Sequence, residues 1–299
     1  MTRPTLRSAL DAERPLVTAL AHDALSARLI ARAGFRALTV GGSALLAARY
    51  GLPDIALIGR RDMTEGLRDI AGAVDIPIIA DADDGYGDVK AVARTVEAYE
   101  AIGIGGMLFE DQARERKQQR AEKASAVVDE AVIAQKLRTA LAVRRSKETL
   151  IIGRTDAYGA LGLDPALGRA ERFLKLGVDG VFFAGLRTPE DYARVGKALG
   201  GTVLPAAMFE GPGTPWIAPA ELGRMGYRQV SYPVSVMLRL VAAMSGALAD
   251  LRAHALGDRA MAPMADAESI RAVLDDAVEL KRWRDIEARF GNAAMEQGA

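Results

Sequence analysis

Eight short apolar runs, each followed by a helical pattern, leave this chain few folds to choose from. The runs occupy residues 16–19, 37–41, 76–81, 106–110, 150–154, 180–184, 203–207 and 229–232. The third, Ile76-Pro77-Ile78-Ile79-Ala80, has no polar alternation. That is the pattern of a strand buried on both faces in a parallel sheet, with Pro77 tolerated near its start. Between residues 88 and 102, Val89, Val92, Val96 and Tyr99 recur at spacings of three and four and so line one helix face. Asp23, ahead of Ala24-Leu25-Ser26-Ala27, reads as a cap or first-turn charge of the first helix after a strand. Eight strand–helix units in this order predict an α/β fold, a (β/α)8 TIM barrel; an open doubly wound sheet would follow only if a weak run such as 229–232 were not a strand.

A barrel of this kind takes ~250 residues, and the chain has 299. Residues 1–255 are assigned to the barrel and 256–299 to a C-terminal helical extension. In that extension Ile270, Val273, Leu274, Val278, Trp283 and Ile286 form an apolar stripe that packs on the barrel itself or on a second subunit. Lys plus Arg and Asp plus Glu stand at 39 each, which gives no electrostatic case for nucleic acid or an anionic membrane. A small-molecule partner is expected. The chain has no cysteine and two histidines, His22 and His254, which excludes a thiolate nucleophile, a disulfide framework and a three-histidine metal site. The first residues lack a continuous apolar core and no stretch reaches ~18 uninterrupted apolar residues, so a cytoplasmic location is the default expectation.

The chemistry gathers at the strand ends, where a barrel carries its active site. Asp81, Asp83, Asp84 and Asp88 crowd behind the third run in the sequence DADDGYGD. Asp81 and Asp83 are two apart and point to one side of an extended chain, and Gly85 and Gly87 let the backbone turn. Two hard oxygen ligands at one strand end suit Mg²⁺, with Mn²⁺ as an alternative, although Asp and Gly are also ordinary turn formers. The second run ends in Gly41-Gly42-Ser43, whose N–H groups and hydroxyl would hold a carboxylate. Asp54 follows in GLPD, the fourth run ends in Glu110-Asp111, and the fifth brings Arg154 and Asp156. Three consecutive strand ends bearing charge favour a metal and carboxylate site over turns alone.

The ordered set VGGSA, GLPD, DADDGYGD, FEDQ and GRTDA resembles the isocitrate lyase/phosphoenolpyruvate mutase superfamily over roughly residues 15–251. The resemblance implies a Mg²⁺-dependent barrel that acts on 2-oxo or 2-hydroxy di- and tricarboxylates through an enolate. It implies Asp81 as the most direct metal ligand, with Asp83, Asp54 and Glu110 binding the ion or its waters. Gly41, Gly42, Ser43 and Glu210 would bind substrate, and Arg154 its carboxylate or developing oxyanion. It further implies a homo-oligomer, a dimer of dimers, with the helix after the barrel exchanged between subunits.

Departures from the family pattern narrow the reaction. Lyases of the family carry a Lys-Lys/Arg-Cys-Gly-His motif on a lid, and here the corresponding residues are Arg116-Lys117-Gln118-Gln119-Arg120. Gln118 stands where the cysteine acid/base would be and donates only a hydrogen bond. Gly185 replaces a glutamate after the sixth strand, Ala207 an asparagine after the seventh, and Thr39 an aromatic before the glycine turn. Decarboxylases of the family share the first two losses, so oxaloacetate decarboxylation is the expected activity. Methylisocitrate- or dimethylmalate-type cleavage, phosphonate chemistry and a non-catalytic dicarboxylate binder are the alternatives. The polar segment 113–123 is either a solvated loop or a lid that closes over substrate. His22 reads as a structural histidine, and Trp216 as a pocket cover or interface anchor.

Overall fold

The computed structural model describes residues 4–117, 126–211 and 214–291. Eight strands form one parallel sheet: β1 Leu16–Leu20, β2 Leu38–Val40, β3 Ile78–Asp81, β4 Gly106–Glu110, β5 Leu150–Thr155, β6 Gly180–Phe183, β7 Pro205–Ala207 and β8 Gln229–Tyr232. Their hydrogen-bonded order is β6-β5-β4-β3-β2-β1-β8-β7. The ends of that series meet at a parallel bridge between Gly180 and Val203, where Val181 N–H donates to the Val203 carbonyl at 3.1 Å. The sheet is therefore a (β/α)8 barrel, as the alternation of runs requires. Gly180 makes this seam possible, because a Cβ there would lie 1.9 Å from the Val203 carbonyl oxygen.

Each of the eight runs contains a strand, and the differences lie at the edges. β2 and β7 are three residues each, shorter than the apolar runs that contain them. β5 extends one residue further, to Thr155. Asp23 caps the helix Ala24–Arg32 in a reciprocal box with Ser26, Ser26 N–H donating to Asp23 Oδ1 at 2.7 Å and Asp23 N–H to Ser26 Oγ at 3.1 Å. On the helix Val89–Ala101, Val92, Val96 and Tyr99 are fully buried, while Val89, at its first position, is exposed. A helix that the apolar runs do not announce, Leu6–Ala12, precedes β1. Its Leu6 lies against Gly105 and Gly106, so it covers the amino-terminal end of the barrel and leaves the carboxyl ends of the strands for chemistry.

The chain separates into two compact units, Met1–Leu238 and Arg239–Ala299. The first holds the barrel. The second contains most of the helix Ser235–Ala255 and the helices Ala267–Ala277 and Leu280–Phe290. Among its described residues Ala277 alone is buried, and Val241, Leu248, Val273, Trp283 and Phe290 are each more than half exposed. None of the described helices is long and apolar enough to cross a membrane.

Candidate active site

The carboxyl ends of β3, β4 and β5 bring the acidic residues together as strand-end placement requires. β3 stops at Asp81, and the turn after it is held by Asp83 N–H donating to Asp81 Oδ1 at 3.0 Å. Asp83, Gly85, Tyr86 and Gly87 all have positive φ. Gly85 has no substitute here, since a Cβ would lie 2.3 Å from Val92 Cγ2 at a φ of +84°. Glu110 N–H donates to the Asp83 carbonyl at 2.8 Å, which locks the β4 end to this turn. As a result, carboxylate oxygens of Asp81, Asp83 and Glu110 lie within 4.8 Å of one another.

Asp54 approaches from the loop between the helices Gly42–Tyr50 and Arg60–Ala73. Gly42 admits it closely: a Cβ at that position would stand 3.2 Å from Asp54 Oδ2. Lys117 sits among these groups, its Nζ 3.2 Å from Asp54 Oδ1, 3.3 Å from Glu110 Oε1 and in direct contact with Asp83 Oδ1. On the other side Arg154 reaches Glu110 Oε2 at 3.0 Å and Asp81 Oδ2 at 3.5 Å. Asp156 holds the same guanidinium through two hydrogen bonds of 3.0 Å, and Asp111 accepts from the Asp156 N–H and from Thr155 Oγ1, each at 2.8 Å.

Burial and mutual charge set the ionisation of the cluster. Burial pushes Asp83 up to about 6, with Lys117 opposing, and burial likewise raises Asp81 and Asp54. Burial also opposes ionisation of Glu110, but the Arg154 and Lys117 charges outweigh it and hold this carboxyl below the usual glutamate range. Burial and the neighbouring Asp156 charge raise Asp111 to about 7. Lys117, despite burial, is held well above the usual lysine value by Glu110, Asp83, Asp54 and Asp81. An anionic cluster that retains a buried ammonium in contact with three carboxylates is one that favours a cation, and its donors are all hard oxygens of the kind Mg²⁺ and Mn²⁺ take. The residues thus fit the ion that the sequence implied.

A pocket of about 350 Å³ opens beside the cluster, lined by Gly41, Gly42, Ser43, Asp54, Asp81, Lys117, Arg154 and Glu210. Its remaining wall is largely apolar and includes Leu20, Phe182, Ala184, Ala207, Phe209 and Met237. Thr39 faces the pocket too, but its hydroxyl is 2.9 Å from Thr18 Oγ1, which in turn accepts from Gln229 Nε2 at 2.7 Å. Ala184, rather than the Gly185 named from sequence, presents a side chain at the end of β6 to the pocket; Gly185 has a φ of +78° as the chain turns away.

Gln118, Gln119 and Arg120 lie outside the described residues, as does most of the segment expected to be a lid or solvated loop. Its first part is anchored at both ends, where Ala113 and Lys117 are buried and Arg116 N–H donates to the Ala113 carbonyl at 2.9 Å, while Glu115 and Arg116 between them are exposed. His22 is buried without lining the pocket, and Trp216 is 55% exposed with its ring 5.2 Å from that of Tyr232. His254 belongs to the second unit and accepts from Met261 N–H at 3.2 Å. Sequence reasoning missed the grip of Asp156 on Arg154 and the central seat of Lys117. The first had a signal, since residues 154 and 156 are two apart across a strand end; the second had only the excess of carboxylates over nearby cations.

The family model described as phosphoenolpyruvate phosphomutase matches residues 6–252. The chain is 30% identical to 2,3-dimethylmalate lyase of Eubacterium barkeri over 97% of its own length and 98% of that relative. It is 32% identical to an oxaloacetate decarboxylase of Bradyrhizobium sp. (strain ORS 278), covering 96% and 97% respectively. Among solved structures it superposes on oxaloacetate acetylhydrolase bound to the inhibitor 3,3-difluorooxalacetate with a TM-score of 0.87, 28% identity and 96% of each chain covered.

Proposed function

Because the chain belongs to the phosphoenolpyruvate phosphomutase family, we propose that it is a Mg²⁺-dependent carbon–carbon lyase of small 2-oxo or 2-hydroxy dicarboxylates, with oxaloacetate decarboxylation as its reaction. The observation that carries this reading is the pairing of Arg154 with the Asp81–Glu110 cluster on one side of a pocket whose other wall is largely apolar. Asp81, Asp83 and Glu110 would hold the ion, with Asp54 close by. When bound, Mg²⁺ supplies Lewis-acid stabilisation of charge on the substrate's 2-oxo group.

The chain's own residues do the rest. Gly41, Gly42 and Ser43 at the start of a helix orient the C1 carboxylate. The C3–C4 bond of oxaloacetate breaks with its electron pair delocalised onto the C2 oxygen, CO₂ leaves as a neutral molecule, and a proton then returns to C3. Arg154, locked by Asp156, donates to the oxygen on which charge develops, a contribution of roughly 3 kcal/mol. Ala184, Ala207 and Phe209 surround the departing carboxylate with apolar groups, which disfavours the charged substrate more than neutral CO₂. Decarboxylation needs no base to remove a hydroxyl proton, in keeping with the absence of a cysteine.

A second reading, retro-aldol cleavage of a branched 2-hydroxy dicarboxylate, is favoured by one feature, the carboxylate of Glu210 on the pocket wall. Steady-state assays with oxaloacetate, 2,3-dimethylmalate, 2-methylisocitrate and phosphonopyruvate separate the two. Turnover of oxaloacetate at the highest kcat/KM supports the decarboxylase; cleavage of a branched hydroxy acid alone transfers the assignment to the second reading. The exposed apolar face of the second unit supports a homo-oligomer, which light scattering on purified chain would detect as a mass above 31.8 kDa.

A further inference from the structure

Of the three carboxylates in DADD, Asp84 alone is turned away from the cluster, and the side chains that hold it join three loops. Asp84 Oδ2 and its carbonyl accept from the buried Lys136 Nζ at 2.9 and 2.8 Å. Its Oδ1 accepts from Tyr86 N–H at 3.1 Å and from Arg114 Nη1 at 3.0 Å. The second arm of the Arg114 guanidinium donates to the Ile58 carbonyl at 2.7 Å and to that of Ala56 at 3.4 Å. Ala56 has a φ of +65°, a left-handed conformation that a non-glycine residue keeps only when its surroundings impose it.

Arg114 therefore ties the loop that carries Asp54 to the turn that carries Asp83. It stands three residues before Lys117, whose Nζ contacts both of those carboxylates, and Lys117 N–H donates to the Arg114 carbonyl at 3.2 Å. The guanidinium is suited to this task because its fork presents donors in two directions at once, which an ammonium cannot do from one position. None of the groups that its guanidinium bonds lines the pocket.

We propose that Arg114 is a positioning residue for divalent-cation binding, setting the distance between Asp54 and the Asp81–Asp83–Glu110 cluster by clasping their two loops. This rests on the reading of the cluster as a cation site. The clasp has a signature that charge alone cannot imitate. Deleting a positive residue near a cation site should, on Coulomb grounds, tighten cation binding; deleting a positioning residue should weaken it, by about 10- to 100-fold for a partner that orients ligands from outside.

The test is Mn²⁺ binding to the full chain, followed by water-proton relaxation and by calorimetry, in the wild type, Arg114→Leu and Arg114→Lys. Arg61→Ala, at an exposed arginine paired with Glu65, is the control. A Kd for Mn²⁺ raised 10-fold or more in Arg114→Leu, and by a smaller factor in Arg114→Lys, with circular dichroism and the melting midpoint near those of the wild type, supports the clasp. Wild-type or tighter affinity in Arg114→Leu overturns it. If Arg114→Leu does not fold, Arg114→Lys decides, weaker binding supporting the proposal and unchanged binding overturning it. A wild-type chain that binds no Mn²⁺ overturns the cation reading itself and the clasp with it, an outcome visible before any variant is measured.

Discussion

Asp156 clasps Arg154 through both carboxylate oxygens, Nε to Oδ2 and Nη2 to Oδ1 each at 3.0 Å, and Asp156 is itself fixed by its N–H to Asp111 at 2.8 Å. The guanidinium thus has one edge committed to orientation and the Nη1 corner left for Glu110 and Asp81. A bidentate pair resists rotation in a way that a single charge contact does not. Substituting Asp156→Asn should leave KM for oxaloacetate nearly unchanged and lower kcat by roughly 10- to 100-fold, because the interaction lost is one that aligns a donor with developing charge. Arg154→Lys, which cannot form the paired contact, should lower kcat by about 10²- to 10³-fold. Steady-state kinetics on both variants checks this, and a raised KM with kcat unchanged would assign the pair to binding alone.

Lys117 and Arg154 both reach the cluster, and Lys117 is the one that contacts Asp54, Asp83 and Glu110 together. With Lys117→Met, Asp54, Asp83 and Glu110 lose their shared ammonium contact, and removing one partner of a buried ionic group costs about 3–5 kcal/mol. The expected result is a lower melting midpoint without added divalent cation and a larger Mg²⁺-induced rise than in the wild type, read by differential scanning calorimetry. An unchanged midpoint in EDTA would show that the lysine contributes nothing to holding the carboxylates.

Much of this arrangement was legible in the residues, and the limits have physical causes. Seven of the eight runs were largely apolar and only 229–232 was weak, so strand identity followed from composition, and the barrel from their number and order. β2 and β7 came out shorter because ladder pairing, not hydrophobicity, ends a strand. Asp81, Glu110 and Arg154 were readable because each closes an apolar run, and a strand end places its last side chain at the rim. Lys117 and the Arg114–Asp84–Lys136 contacts were not, because they join loops separated by 30 to 63 positions in sequence, and no local period records such a meeting. The helix Leu6–Ala12 was missed for the opposite reason: at seven residues it is too short for its periodicity to stand out.

The barrel seam gives a stability prediction. Gly180 faces the Val203 carbonyl so closely that Gly180→Ala must displace backbone, not a flexible side chain. Overpacking of this kind costs about 1–3 kcal/mol, and here the upper end is expected. Urea unfolding should show a lower midpoint with an unchanged slope. A variant as stable as the wild type would mean that β6 and β7 do not approach as described.

Burial lowers the pKa of His22 from 6.5, with the Asp23 charge opposing. The folded state therefore takes up this proton less readily than the unfolded chain. Its contribution to stability is present above the unfolded value and is lost as pH falls through the lower folded value. Between pH 7 and pH 5 the wild type should lose stability more steeply than His22→Gln, which cannot titrate. Urea midpoints at both pH values give the comparison; parallel slopes would place His22 in a solvated setting.

The central claim is that the Asp81–Asp83–Glu110 cluster and Arg154 form a cation-dependent site that cleaves a carbon–carbon bond. Proton NMR of oxaloacetate incubated with the purified chain, with and without EDTA, in the wild type and in Asp81→Ala, tests it most directly. The account predicts pyruvate formation well above the spontaneous rate, abolished by EDTA, restored by Mg²⁺, and absent from an Asp81→Ala chain that retains its circular dichroism. Pyruvate formation that survives EDTA, or that Asp81→Ala sustains at the wild-type rate, would contradict it.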